Sequence, residues 1–408
     1  MTKNIFTPTS ILLPKGVSME KWSVVACDQF SSEHDYWERV KANVGDSPST
    51  FRLIIPEAYL EEIDEDMEKE KVAETMKQYL SSDLFFEIRD SFVYVERTQP
   101  DGRIRRGIVG AIELDSYDFT TSDTPIRASE GTVLDRLPPR IAVRKSAALE
   151  LPHIMTLIDD CDDTVIGPLA KKAADFPVLY DFDLMEGGGH IKGMQVTGSD
   201  AHDVMAAITK LGDAGEILMA IGDGNHSLAA AKVYWDELKV SLTDEQRQNH
   251  PAGRALVEIN NVYDDAIDFE PIHRVLFNVD PGQFIEEFVS AMPKDCEAEY
   301  QIVWASHGEA GRISVGADCI GSMIDAVGKF LDEYTKKNNA RIDYIHGDDV
   351  VKKLSTPEDC LGLMFPAMEK SDFFKTVQER GVFPKKSFSI GHARDKRYYI
   401  ECRGIKQG

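Results

Sequence analysis

A chain of 408 residues, 42% hydrophobic and 28% charged, is long enough for two or three domains with cores of their own. Its formal net charge of −24, from 46 basic and 70 acidic residues, repels nucleic acid and anionic membranes, so neither is expected as a partner. The six cysteines lie far apart without a CxxC pair, and no apolar run is long enough to span a bilayer or to act as a secretion signal, so we expect a reduced, cytoplasmic setting.

To about residue 95, short apolar runs alternate with helical patterns. WSVVACDQF sets Asp28 just past a buried strand, either as a working carboxylate or as the N-cap of a helix over 33–40. Pro56 interrupts FRLIIPEAYL, and a strongly charged amphipathic helix follows, its acidic run reading as a solvated face. SFVYVERTQPDGRIRRGIVGAIEL alternates on both sides of Pro100-Asp101-Gly102, the pattern of a hairpin. Glu130 then stands among small residues after a strand, and Arg127, Arg136, Arg140 and Arg144 cluster within 18 residues around it. Pro138-Pro139 prevents one continuous helix, so only Arg140 and Arg144, spaced i and i+4, need share a face. The cluster reads either as an anion-binding patch or as surface ion pairing with the abundant carboxylates. ELPHIMTLIDD reads as a buried strand bearing His153, a setting that more often holds a satisfied core histidine than a ligand. A glycine hairpin at 187–189, with His190 after it, precedes a helix over 199–211.

Residues 217–235, ILMAIGDGNHSLAAAKVYW, join three signals: an apolar run, a polar glycine turn and an alanine-rich helical pattern. A strand-turn-helix junction points backbone N–H groups at whatever lies above the helix start, a ready site for phosphate. Gly222 and Gly224 permit close approach or positive φ, while Asp223, Asn225, His226 and Ser227 supply a carboxylate, an amide, an imidazole and a hydroxyl. The competing reading is an ordinary turn with Asn225 or Ser227 as N-cap. It is not a Walker loop, and the third glycine position of GxGxxG holds Ser227. Beyond it, RALVEINNVYD reads as a strand, FEPIHRVLF carries His273 and Arg274, and a separate α/β pattern closes the chain. We divide the chain into an N-terminal α/β region at 1–95, a core at 96–275 and a C-terminal α/β region at 276–408. His153, His190, His226 and His273 lack an HExxH spacing, which argues against a metal hydrolase.

The order of FRLIIPEAY, GIVGAIELDSYD, Glu130-Gly131-Thr132, GDGNHSLAAA, EPIHRVLF, IDYIHGDD and FPKKSF resembles family 1015 of the domains of unknown function (DUF1015) over most of the chain. That family usually carries His-Glu-x-Thr and Asp-Gly-His-His-Arg segments, the second similar to the phosphate-binding segment of the ParB and sulfiredoxin-like fold and of free-serine kinases. The resemblance implies a mixed α/β fold: a ParB/sulfiredoxin-like core of mixed sheet and flanking helices, plus the C-terminal α/β region. It matches Glu130 to a glutamate that acts on the substrate hydroxyl, and Asp223, Gly224 and His226 to the phosphate loop. Asn225 stands where relatives have histidine, and Ser227 where they have the arginine that grips phosphate. The missing charge must then come from elsewhere, with Arg136, Arg140, Arg144 and Lys386 as candidates, or the activity has changed.

The expected function is phosphoryl transfer between a nucleotide, ATP or ADP, and a small hydroxyl compound, with serine suggested by the family's association with serine-biosynthesis genes. Gly222, Gly224, Asn225 and Ser227 would cradle phosphate, Asp223 would hold Mg²⁺, His226 would contact phosphate and Glu130 would take or orient the hydroxyl proton. Lys386 and Ser387 would close the site. Two alternatives use the same pocket: a phosphoserine phosphatase, and a nucleotide- or metabolite-binding regulator without turnover.

Overall fold

The computed structural model describes residues 4–121, 123–215, 217–294, 296 and 298–406. The chain forms two compact units, one from residues 1–128, 132–267 and 392–408, the other from 129–131 and 268–391. Both are mixed α/β. The division expected at residue 95 falls inside a strand, Phe85–Thr98, and the one at 275 inside another, His273–Phe277.

The first unit is built on one mixed sheet. Its strands in chain order are β1 (Phe6–Thr7), β2 (Thr9–Pro14), β3 (Phe85–Thr98), β4 (Ile104–Glu113), β5 (Tyr117–Asp118), β6 (Ile126–Arg127), β7 (Met155–Ile158), β8 (Val178–Leu184), β9 (Gly189–Val196), β10 (Met219–Asp223) and β11 (Arg254–Asn261). They are ordered β8-β9-β3-β4-β11-β7-β10-β6-β5, with β1 paired to β4 and β2 to β3. The pairs β11/β7, β10/β6 and β6/β5 are parallel, and the other neighbours on this path are antiparallel. The hairpin expected from alternation is β3 and β4, with Gly102 at φ 88° in its turn. Almost every residue of β11 is buried, which is why RALVEINN reads as an apolar run and not as an alternation.

Helices cover this sheet: α1 (His34–Val44), α2 (Glu65–Ser81), α3 (Leu137–Ser146), α4 (Gly198–Ala214) and α5 (Asn225–Lys239). The charged run does form α2, capped by the Asp64 carboxylate, which accepts from the N–H groups of Asp66 and Met67, and it buries Val72, Ala73 and Met76. Asp28 caps nothing: α1 begins after Glu33, which makes no side-chain cap. The two prolines sit in the first turn of α3, where their missing N–H groups are not needed, and a separate 3-10 turn at Leu134–Arg136 precedes it. On α5, Ala229 and Ala230 pack with Leu137 of α3, the small side chains letting the two helices approach closely. His153 lies ahead of β7 and not within it, so the strand expected there starts two residues later.

The second unit centres on an antiparallel sheet. With β12 (Phe269–Pro271), β13 (His273–Phe277), β14 (Ala298–Ser306), β15 (Glu309–Ala317), β16 (Arg341–Ile345), β17 (Cys360–Met364) and β18 (Phe388–Ile390), the order is β15-β14-β17-β13-β16, and β12 pairs separately with β18. Helices α6 (Pro281–Ala291), α7 (Ile320–Asn338) and α8 (Lys370–Arg380) accompany it. Phe284, Phe288, Phe330 and Tyr334 interlock edge-to-face and stacked between α6 and α7. A second aromatic group joins Phe269, Phe373, Phe383 and Phe388.

Candidate functional site

Strand β10 delivers the turn. Its pairing with β7 shifts register between Ile221 and Asp223, so Gly222 sits at an irregularity that re-aims the Asp223 side chain. Gly224 follows at φ 82°, ψ 24°, and a Cβ there would lie 3.0 Å from the Ile154 Cα. Both the left-handed backbone and the close packing require glycine. Helix α5 starts directly at Asn225 with Gly224 as N-cap and no side-chain cap. The competing reading, with Asn225 or Ser227 as N-cap, does not hold: they occupy the first and third helical positions. A glycine N-cap brings no side chain to the first turn, and the positive end of a helix favours an anion.

The surrounding groups come from distant segments of the first unit. Asp223 Oδ2 is buried, makes no hydrogen bond among the described residues, and lies 3.5 Å from the buried Lys396 ammonium. The ring of His226 is already engaged, its Nε2 accepting from the Val133 N–H at 3.2 Å, so in the neutral ring the proton sits on Nδ1. Ser227 Oγ lies 3.4 Å from His153 Nε2, and His153 Nδ1 lies 2.8 Å from the Tyr399 hydroxyl. Asp28 approaches the same His153 Nε2 at 3.7 Å. Burial pushes the Asp28 carboxyl up, but His153, the Gln29 amide, Lys396 and Arg140 together outweigh it and hold it below the usual range, so it stays ionised. Cys27 goes the other way: burial, reinforced by Asp28, lifts its thiol to about 12, which leaves it neutral.

The arginines expected to serve an anion are largely committed. Arg140 pairs with Glu57, and Arg144 with Glu150 at 2.7 Å, while Arg403 holds the same Glu150 at 2.6 Å. Arg140 and Arg144 do share a face of α3, and both border a cavity of about 210 Å³ that also touches His153 and Ser227. The Arg136 side chain lies outside the described residues. Arg127 turns its Nε to the Thr124 carbonyl.

Glu130, Lys386 and Ser387 belong to the second unit. Glu130 forms a parallel bridge with Phe383, whose N–H donates to the Ser129 carbonyl at 2.7 Å. Lys386 is exposed and held at φ 60°, its carbonyl accepting from Arg274 Nη2 at 2.9 Å. The buried Ser387 hydroxyl donates to the Pro384 carbonyl at 2.5 Å and is spoken for. The structure thus gathers Gly222 to Ser227, Arg140 and Arg144 in one unit and Glu130, Lys386 and Ser387 in the other. It also adds Asp28, His153, Lys396 and Tyr399, which sequence reasoning did not join to the turn.

Among the described residues, no group of three or more His, Cys, Asp or Glu is arranged to hold a metal ion, and no helix is long and apolar enough to cross a membrane. Solved structures similar to the chain include a conserved hypothetical protein from Pyrococcus furiosus, 13% identical over 72% of this chain and 94% of that one, with a TM-score of 0.35. Free serine kinase in complex with AMP is 13% identical over 72% and 90%, with a TM-score of 0.36. SbnI with C-terminal truncation, from Staphylococcus aureus, is 6% identical over 70% and 82%, with a TM-score of 0.34. No curated protein matches. The family described as "protein of unknown function (DUF1015)" matches residues 12–377, and the chain belongs to that family.

Proposed function

We propose that the chain is a phosphotransferase that moves phosphate between a nucleotide, ATP or ADP, and a small hydroxyl compound, with serine the first acceptor to test. The observation that carries this reading is the start of α5: a helix N-terminus with a left-handed glycine as its N-cap, flanked by a buried carboxylate oxygen that makes no hydrogen bond among the described residues and a buried ammonium 3.5 Å from it. Phosphoryl transfer asks mainly for positioning and charge neutralisation. The turn's backbone positions phosphate, and Lys396 neutralises it, in the part that the family arginine plays where this chain has Ser227. Lys386 is a second candidate cation.

Asp223 fits Mg²⁺ as a single carboxylate completed by phosphate oxygens and water, the manner in which that ion is usually bound with nucleotides. When bound, the ion draws charge from the phosphate oxygens. His226 keeps its place through Val133 and contacts phosphate by the motif resemblance. Glu130 receives the acceptor hydroxyl's proton by the motif resemblance. A regulator that binds nucleotide without turnover is the second reading, favoured by the pairing of Arg140 and Arg144 with carboxylates.

Phosphorus NMR of the protein with Mg²⁺, ATP or ADP, and serine tests the proposal. A phosphate monoester is expected as product, with serine or with a more apolar small alcohol in its place, and Glu130→Gln is expected to be slower by about 10²- to 10⁴-fold. Full turnover in Glu130→Gln removes that residue's role. A thermal-shift screen of nucleotides, serine and phosphoserine, with and without Mg²⁺, separates the readings. Stabilisation by nucleotide with no product under any condition selects the regulator, and no shift at all overturns both.

A further inference from the structure

The cavity beside the turn is divided in character. One wall is Leu53, Val72, Met76, Ala147 and Leu149, all members of a single hydrophobic cluster. The polar corner is His153, Ser227 and Tyr399, joined to one another by hydrogen-bond contacts. Ser227 is the third residue of α5 and Ala230 lies one turn on, so the space opens beside the helix start where phosphate is proposed to sit. On α3, Arg144 borders the cavity with a buried Nε that has no hydrogen-bond partner among the described residues.

We infer that this cavity receives the apolar body of the compound that is phosphorylated or carries the phosphate, so that the substrate is an alcohol, or its phosphate monoester, with a short alkyl or single-ring body. The inference rests on the phosphate reading of the Gly224 turn. Serine itself matches the wall poorly. It has one methylene and would leave the wall of Leu53, Val72, Met76, Ala147 and Leu149 largely uncovered, while the charged groups that also line the cavity, Arg140 with Glu57, Arg144 with Glu150 and Lys69 with Glu65, are paired with one another. At about 210 Å³ the space is smaller than sites for drug-sized molecules, which selects a compact body.

Hexyl phosphate, inorganic phosphate, phosphoserine and AMP, titrated calorimetrically into the full chain, test it. Each apolar carbon buried strengthens binding by about fourfold, so hexyl phosphate is expected to bind more than tenfold tighter than inorganic phosphate or phosphoserine. Val143, a half-buried cavity residue on α3, gives the variant: Val143→Phe fills the space and is expected to abolish the hexyl advantage while inorganic phosphate and AMP bind as before. Hexyl phosphate binding no tighter than inorganic phosphate overturns the inference and leaves the phosphate site standing. Loss of AMP together with hexyl phosphate in Val143→Phe also overturns it, because the cavity then holds the nucleobase. Failure of all four ligands overturns the phosphate reading itself. The wild-type comparison stands even if the variant does not fold.

Discussion

The His153 ring links the Ser227 hydroxyl, 3.4 Å from its Nε2, to the Tyr399 hydroxyl, 2.8 Å from its Nδ1. Both ring nitrogens therefore face polar groups in a buried setting, and Asp28 stands 3.7 Å from Nε2 as an ionised carboxylate. The two bonds differ in quality, the Tyr399 contact being short and buried and the Ser227 contact long and partly open. We expect His153→Leu to lower unfolding free energy by about 0.5–1.5 kcal/mol, because it removes the short bond to the Tyr399 hydroxyl, which keeps only its longer contacts with the Cys27 N–H and Sγ, and Ser227→Ala to cost under about 0.5 kcal/mol. Urea denaturation measures both. Equal costs would mean that the Ser227 contact is as strong as the other.

Lys396 is the cation that faces the Asp223 carboxylate, and it also helps to hold Asp28 ionised. If it supplies the charge that Ser227 lacks, Lys396→Met weakens phosphate and nucleotide binding by about 10- to 100-fold, the size of one lost charged hydrogen bond. Lys396→Arg is expected to retain much of the affinity, and the salt dependence of binding should flatten in the methionine variant. Unchanged affinity in Lys396→Met removes this lysine from the site.

The strand, turn and helix at 217–235 were legible because apolar run, glycine pair and alanine-rich pattern are local signals. The hairpin of β3 and β4 and the charged helix α2 were legible for the same reason. The companions of the turn were not. Lys396, in RDKRYY, carries no local mark, and reaches Asp223 only because the chain's last segment returns to the first unit. His153 looked like a core histidine, and its burial agrees with that; its contacts with Ser227 and Asp28 depend on β7 and β10 lying side by side. The arginine cluster had two open readings, and the carboxylates that pair with Arg140 and Arg144, Glu57 in a 3-10 turn and Glu150 in a short strand, are connected to α3 by no spacing rule.

His190 sits on the hairpin of β8 and β9 with Asp183 2.7 Å from Nδ1 and Asp181 2.7 Å from Nε2. Its hydrogen bond to the Asp183 carboxylate, with help from the one to Asp181, outweighs the desolvation that opposes it and raises its pKa above the ordinary 6.5. The folded state therefore favours the imidazolium. Its stabilisation is present in full below the unfolded value near 6.5 and is lost as pH rises through the raised folded value. NMR titration of His190 should give a midpoint above 6.5, moving down in Asp183→Asn. A midpoint that does not respond to Asp183→Asn contradicts the assigned cause.

Glu258, buried on β11, accepts from Arg397 Nε at 2.9 Å and from the Asn260 amide at 3.0 Å, with Arg105 at 3.8 Å. Gly107 on β4 makes the room, since a Cβ there would lie 2.6 Å from Glu258 Oε1. Burial raises the carboxyl's pKa, but Arg105 and Arg397 outweigh it and the net direction is down. Arg397 also donates to Glu401 at 2.6 Å and to the Pro152 carbonyl, the residue before His153, so this pair braces the segment that carries the candidate site. Removing one partner of such a pair leaves a buried charge uncompensated, and Glu258→Gln is expected to cost about 3–5 kcal/mol at neutral pH. A depressed carboxylate contributes above its unfolded pKa and loses that contribution as pH falls through the folded value, so the gap between wild type and Glu258→Gln should close in acid. In the double variant Glu258→Met with Arg397→Met, the loss should be smaller than the sum of the two single losses. Additive losses would show that the two side chains stabilise the sheet independently and that the brace does not act as a pair.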